Sequence, residues 1–246
     1  MRYIRPFQNA TNNRGMVGNR IHIIIVAAGS GRRFGQPLPK QFCPLNGRPL
    51  LMTTIERLYS AYSEAELTVV LHPDYESIWI DECRAHAFNI KARIVHGGAT
   101  RWHSVKNALD SLDAAQDDII MIHDGARPCV SKSILKRTAE AVLSGKDAVV
   151  PAIPVTDSLR RTTNGGGSEI VDRSRYLSVQ TPQAFKASTI LEAYRLGFNE
   201  AFTDDASVVE ASGICTVSIV DGDPANIKVT HPIDIGIASL ILSVQY

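Results

Sequence analysis

The 246-residue chain predicts an α/β fold: one three-layer domain, its mostly parallel twisted sheet flanked by helices, plus a projecting β-hairpin arm. Three observations predict it. Short apolar runs alternate with helix-like segments from Ile21 to the C-terminus, the rhythm that packs a parallel sheet between helices. Most of those runs are β-branched and lack polar alternation, as strands covered on both faces do. One segment, Pro154–Asp172, breaks the rhythm with an alternating stretch, a glycine turn at Gly165–Gly167 and a return toward Ile170 and Val171. That pattern spells a hairpin, placed within an arm of residues 154–175.

Taken in order, the chain opens with a polar, Asn-rich, aperiodic leader over residues 1–20, expected to be a disordered extension without the apolar core of a secretory signal. The domain is expected over residues 21–246. A first strand, Ile21–Ala27, runs into small residues, and helix follows over Leu50–Ser60. Strand Leu67–His72, helix Tyr75–Ala87, strand Ala92–His96 and helix Arg101–Ala114 come next. The last of these carries Val105, Ala108, Leu109 and Leu112 on one helical face. Strand Asp118–His123, helix Ser131–Leu143 and strand Ala148–Ile153 lead to the arm. Beyond it lie strand Tyr176–Gln180, helices Ser188–Leu196 and Asp204–Ala211, strand Ile214–Val220 and helix Pro232–Leu242. Ligands of such sheets bind beyond the C-terminal ends of the strands.

Bulk properties narrow the functions. A composition 44% hydrophobic and 21% charged is that of an ordinary globular protein, and a net charge of +1 gives no reason to expect nucleic acid or a membrane surface as partner. The first twenty residues hold Arg2, Arg5, Arg14 and Arg20 with no acid, so the remainder is slightly acidic. Cys43, Cys83, Cys129 and Cys215 are scattered, without metal-ligand or CxxC spacing, and read as reduced thiols of a cytoplasmic protein.

The chemistry sits where strands end. After the first strand come Ala27, Ala28, Gly29, Ser30 and Gly31, then Arg32, Arg33 and, past two prolines, Lys40. Small residues let the backbone approach a ligand and aim successive N–H groups at an anion, and the cations add fixed positive charge. The G-x-G-x-x-x-G spacing of Gly29, Gly31 and Gly35 is one residue longer than the dinucleotide fingerprint, and no GK[ST] follows. A nucleoside triphosphate site of another type is expected. Asp124, closing the strand in HDGARP, is placed to hold Mg²⁺, since magnesium takes one or two carboxylates and fills its shell from substrate phosphates. His123 reads as a packing or hydrogen-bonding residue; Arg127 reads equally as a phosphate ligand or a partner of Asp124. In GGATRWHSV, between strand and helix, Ser104 either meets a base edge or caps the helix. Thr203 is an acceptable N-cap for the helix after TDDAS. Lys228, between Ile227 and Val229, points either into a cleft or off an edge.

Taken together in this order, AAGSGRRFG…PKQF, GGATRWHSV, HDGARP, VTDSLR, VDR, TPQAF, TDDAS and NIKVT…P resemble the 2-C-methyl-D-erythritol 4-phosphate cytidylyltransferase family, from about Ile21 to Ala238. The resemblance implies a nucleotidyltransferase that joins CTP to a sugar-alcohol phosphate and releases pyrophosphate. Ala27, Ala28, Gly29, Ser30 and Gly31 would hold the triphosphate, while Arg33 and Lys40 stabilise charge at the α-phosphate. Gly98 and Ser104 match positions that contact cytosine, with Arg101 supporting their loop. Gly125, Arg127, Thr203 and Lys228 would meet the sugar phosphate. Ser158 and Arg173, flanking the arm, would reach a partner subunit's site in a homodimer. Arg173 and Lys228 join Arg33 and Lys40 as catalytic candidates, and Asp124 would carry the Mg²⁺. Ala99-Thr100 fills a slot where relatives often carry acids. Ribitol 5-phosphate cytidylyltransferases share most of the phosphate motifs and form the alternative.

Overall fold

The computed structural model describes residues 19–29 and 39–244. The strands are β1 (Ile21–Ala27), β2 (Pro44–Leu45), β3 (Arg48–Pro49), β4 (Glu66–Leu71), β5 (Arg93–His96), β6 (Ile119–Asp124), β7 (Ala148–Pro154), β8 (Arg160–Thr162), β9 (Ser168–Ile170), β10 (Leu177–Val179), β11 (Gln183–Lys186) and β12 (Ser218–Asp221). The helices are α1 (Leu50–Ala61), α2 (Glu76–Ala85), α3 (Arg101–Asp110), α4 (Lys132–Leu143), α5 (Ala187–Ala193), α6 (Asp205–Ser212) and α7 (Ile233–Val244). Eight strands form one sheet in the order β10-β7-β11-β6-β1-β4-β5, with β12 also paired to β7.

The polarity of β1 explains the centre of the sheet. Ile23 and Ile25 enter one apolar cluster with α1 and α4, and Ile24 enters the other with α3, α5 and α6. A period of two thus feeds both faces, so the run is apolar but for His22, which is buried against Asp118. β1 pairs in parallel with β4 and β6, and β4 with β5. Those parallel strands put the C-terminal ends of β1, β4, β5 and β6 on one rim.

The structure adds three strands to the expected set: the two-residue pair β2–β3, and one strand in the main sheet. β11 lies antiparallel between β6 and β7. With β10 it flanks β7 in two antiparallel stretches separated by Gln180–Pro182, where the Thr181–Pro182 peptide is cis. A run of only four residues directly after Pro182 carries too little periodicity to be read as a strand. Helix α3 ends at Asp110, four residues before the expected Ala114, and the strand expected over Ile214–Val220 is confined to Ser218–Asp221. The arm's hairpin is present: β8 and β9 pair in register from Arg160↔Ile170 to Thr162↔Ser168, and Gly165 and Gly166 take positive φ in the turn. Arg20, grouped by composition with the leader, is tied to the domain by its backbone N–H and side chain on Asp118.

Candidate active site

At the rim where β1 and β6 end, a cavity of about 230 Å³ is lined by Arg101, Asp124, Arg127, Thr181, Thr203 and Lys228 among others. A larger groove of about 610 Å³ lies away from every motif, beside Arg48, Tyr59 and Phe88. Size does not locate this site; converging charge does.

Asp124 is the centre of that charge. β6 carries it to the rim, and Thr181 receives its backbone N–H at 3.0 Å. Lys228 Nζ stands 2.8 Å from Oδ2 and Arg127 Nε 3.4 Å from the same oxygen. Arg101 Nε faces Oδ1 from 3.8 Å. Burial alone would push the carboxyl up; Arg101, Lys228 and Arg127 outweigh it and hold Asp124 well below the usual carboxylate range. The group is therefore a permanent anion. Arg127 reaches the site because its Nη1 also donates to the Asn226 carbonyl at 2.8 Å, and Asn226 in turn donates to the Thr181 carbonyl. Lys228 follows because Val229 is anchored beside it, its N–H on the Ala126 carbonyl and its side chain fully buried. Arg127 thus pairs with Asp124 while lining the cavity, and Lys228 lines it too.

His123 is fully buried, does not line the cavity, and joins its ring to a relay. Its Nε2 lies 3.2 Å from the Arg127 carbonyl, which only accepts, so Nε2 carries the proton. Nδ1 then accepts the Thr181 hydroxyl at 3.1 Å, while Thr181 accepts the Asp124 N–H. Burial pulls the imidazole down to about 4. It is a neutral strut for the HDGARP turn.

The nucleotide-side residues gather beside it. Gly98 N–H donates to Ser104 Oγ at 3.1 Å, and Ser104 donates to the Thr100 carbonyl. Thr100 is the N-cap of α3, accepting the His103 N–H, so the cap reading passes from Ser104 to Thr100. Gly97 is required by contact: a Cβ there would meet Ala28 Cβ at 2.3 Å and Ser104 Oγ at 2.9 Å. Ala27, Ala28 and Gly29 lie at the end of β1, and Gln41 holds their carbonyls, donating to Ala27 at 2.9 Å and Gly29 at 3.3 Å. Lys40 opens the same short turn and donates to the Val229 carbonyl at 3.0 Å. Ser30, Gly31 and Arg33 lie outside the described residues.

Around Thr203 the cap moves by one residue. Asp204, not Thr203, is the N-cap of α6, in a capping box with Ser207. Gly125 sits behind Asp124 with its N–H on the Val26 carbonyl. Ser158 and Arg173 do not line this cavity; both are exposed at the base of the arm, where Arg173 donates to the Thr156 carbonyl. The sequence reading assigned no role to Gln41, Thr181 or Asp205. All three lay inside the motifs PKQF, TPQAF and TDDAS, but no local pattern marks their side chains as buried.

A family profile for 2-C-methyl-D-erythritol 4-phosphate cytidylyltransferase matches residues 21–244. The chain belongs to this family. The cytidylyltransferase of Phocaeicola vulgatus is 43% identical over 221 residues, covering 90% of this chain and 99% of that one. That of Bacteroides fragilis is 44% identical over 220 residues, covering 89% and 98%. Among solved structures, 4-diphosphocytidyl-2C-methyl-D-erythritol synthase from Anaerococcus prevotii superposes with a TM-score of 0.77 at 28% identity, covering 92% of this chain and 96% of that one. The cytidylyltransferase of Thermus thermophilus gives 0.71 at 30% identity, with 89% and 98% covered.

Proposed function

We propose that the chain transfers the cytidylyl group of CTP to 2-C-methyl-D-erythritol 4-phosphate, giving 4-diphosphocytidyl-2-C-methyl-D-erythritol and pyrophosphate in isoprenoid precursor synthesis. The observation that carries the reading is the convergence of Lys228, Arg127 and Arg101 on ionised Asp124, inside a family match spanning the domain. An acceptor phosphate oxygen attacks the α-phosphorus of CTP in line; the new P–O bond forms as the bond to the β-phosphate oxygen breaks, and pyrophosphate leaves with that electron pair. The nucleophile is already an anion, so no side chain needs to remove a proton. Catalysis then rests on positioning and on neutralising charge.

In this reading Ala27–Gly31, Arg33 and Lys40 bind the triphosphate, with Lys40 drawn to the site through the Val229 carbonyl. Gly98 and Ser104 meet the base, and Arg127, Thr203 and Lys228 with the Gly125 backbone hold the acceptor phosphate. Asp124 fits a divalent cation shared with substrate: Oδ2 is taken by Lys228 and Arg127, while among the described residues Oδ1 has a 3.8 Å approach from Arg101. Among the described residues no three His, Cys, Asp or Glu side chains gather to hold a metal, so a cation held by Asp124 would draw its other ligands from substrate phosphate and water. Mg²⁺ bound there would offset phosphate charge.

The arm belongs to the same proposal. Exposed Ile170, Tyr176, Leu177 and Val179 offer an apolar surface that a second copy would cover, bringing Ser158 and Arg173 to the partner's site in a homodimer. A cytoplasmic location is supported by four free cysteines. Among the described residues no helix is long and apolar enough to cross a membrane. Pyrophosphate release should appear with CTP, Mg²⁺ and methylerythritol phosphate. Turnover with ribitol 5-phosphate and none with methylerythritol phosphate would move the chain to the other acceptor.

A further inference from the structure

Behind Arg101 lies a carboxylate that the roles above do not use. Asp205 is fully buried, grips Arg101 Nη1 and Nη2 at 2.8 and 2.6 Å, and accepts the Tyr194 hydroxyl at 2.6 Å. Tyr194 is buried too, its ring stacked on Trp102 at 5.4 Å and 14°. Asp205 does not line the cavity, whereas Arg101 does. Its placement is more specific than a core ion pair requires. Arg101 is the first residue of α3 and Asp205 the first of α6. The pair therefore clamps the helix that follows Gly97-Gly98 to the helix that follows Thr203. A fork held at both terminal nitrogens also leaves only Nε toward Asp124, 3.8 Å away.

We propose that Asp205, braced by Tyr194, is a positioning residue for cytidylyl transfer: it fixes Arg101 at the seam between the two loops and keeps it from closing on Asp124. The inference rests on the reading that places the nucleotide at the Gly98 side and the acceptor at the Thr203 side. Three cations, Arg101, Arg127 and Lys228, share two carboxylates, Asp124 and Asp205. Without Asp205, Asp124 is the carboxylate left beside Arg101 among the described residues. Opposite charges in a partly desolvated site attract strongly, so the guanidinium would move onto Oδ1, the oxygen left for a divalent cation. The nucleotide loop would lose its tether to α6 at the same time.

The test is Asp205→Asn, nearly the same shape without the charge, in the full chain. Two readouts are needed: steady-state kinetics, and calorimetric titration of CTP with Mn²⁺ as the probe cation. We expect kcat to fall about 10–100-fold, as misplacement of a reacting group does, and KM for both substrates to rise. CTP–Mn²⁺ binding should weaken about 10-fold, because Oδ1 is contested. A merely structural role lowers kcat in proportion to the folded fraction, with KM and CTP–Mn²⁺ affinity within about twofold of wild type; that result overturns the proposal. Should Asp205→Asn fail to fold, Tyr194→Phe carries the test, since it keeps the charge and removes one hydrogen bond. Weaker CTP–Mn²⁺ binding supports the proposal and unchanged binding overturns it. The titration needs no acceptor, so it stands even if methylerythritol phosphate proves to be the wrong substrate.

Discussion

Lys228 and His123 flank the same carboxylate and do opposite things. Lys228 Nζ touches Asp124 from the cavity, half exposed, so its charge is available to an incoming phosphate. Lys228→Ala should lower kcat/KM by about 10²–10³-fold, the usual loss for one electrostatic contact to a reacting phosphate. The melting temperature should change little, because Arg101 and Arg127 still compensate Asp124; a matching collapse of both would make Lys228 structural. His123 is a buried neutral strut. Its folded value lies below the unfolded 6.5, at about 4, so the unfolded chain binds the extra proton between those values. The stability that comes from a neutral His123 is complete above pH 6.5 and is lost progressively as pH falls toward 4. Urea titrations from pH 7 to 5 should show a shallower decline in His123→Gln than in wild type, and equal slopes would remove His123 from that role. Asp124, depressed in turn, keeps its charge throughout this range, so it contributes no limb to a rate profile between pH 5 and 8. Both residues were legible in the chain, as a polar pair closing an apolar run. Their partners were not: Thr181 lies 57 positions from Asp124, and Asp205 lies 104 from Arg101. No local period spans such distances.

At the scale of elements, the site is built from the ends of β1, β5 and β6 and the starts of α3 and α6. β1 and β6 were read almost residue for residue, because a strand buried on both faces shows as a nearly continuous apolar run. Ends without such a constraint drifted: α3 stops at Asp110 and the strand near the C-terminus shrinks to Ser218–Asp221. Caps drifted by one to four residues, from Ser104 to Thr100 and from Thr203 to Asp204, since Ser, Thr and Asp compete equally for that place. The seam between β1 and α3 is tight enough to test. Gly97→Ala would press a methyl to within 2.3 Å of Ala28 Cβ and 2.9 Å of Ser104 Oγ, against backbone-anchored groups. Overpacking of this kind costs about 1–3 kcal/mol. Thermal melts should register it, and calorimetry should find CTP binding weakened in the folded fraction. Normal affinity would mean the nucleotide does not use this loop.

For the molecule as a whole, the arm and the domain separate cleanly. β8 and β9 form their own two-stranded sheet rather than extending the main one. Replacing residues 160–170 with a short turn should therefore leave a domain that melts within a few degrees of wild type. The same variant should sediment as a monomer and lose activity, if Ser158 and Arg173 serve a partner's site; an active monomer would place the whole site in one chain. The order of apolar runs by itself determined the fold class and the rim on which ligands bind, because burial on two faces dictates composition locally. The sequence also marked Arg101, Asp124, Arg127 and Lys228 as candidates, since unusual residues after strand ends are visible one motif at a time. Only the tertiary structure decided which of them meet. It inserted β11 between β6 and β7, brought Lys228 onto Asp124 and set Asp205 behind Arg101. Those contacts join elements far apart in the chain, and their energy depends on distance in space, which no spacing along the sequence records.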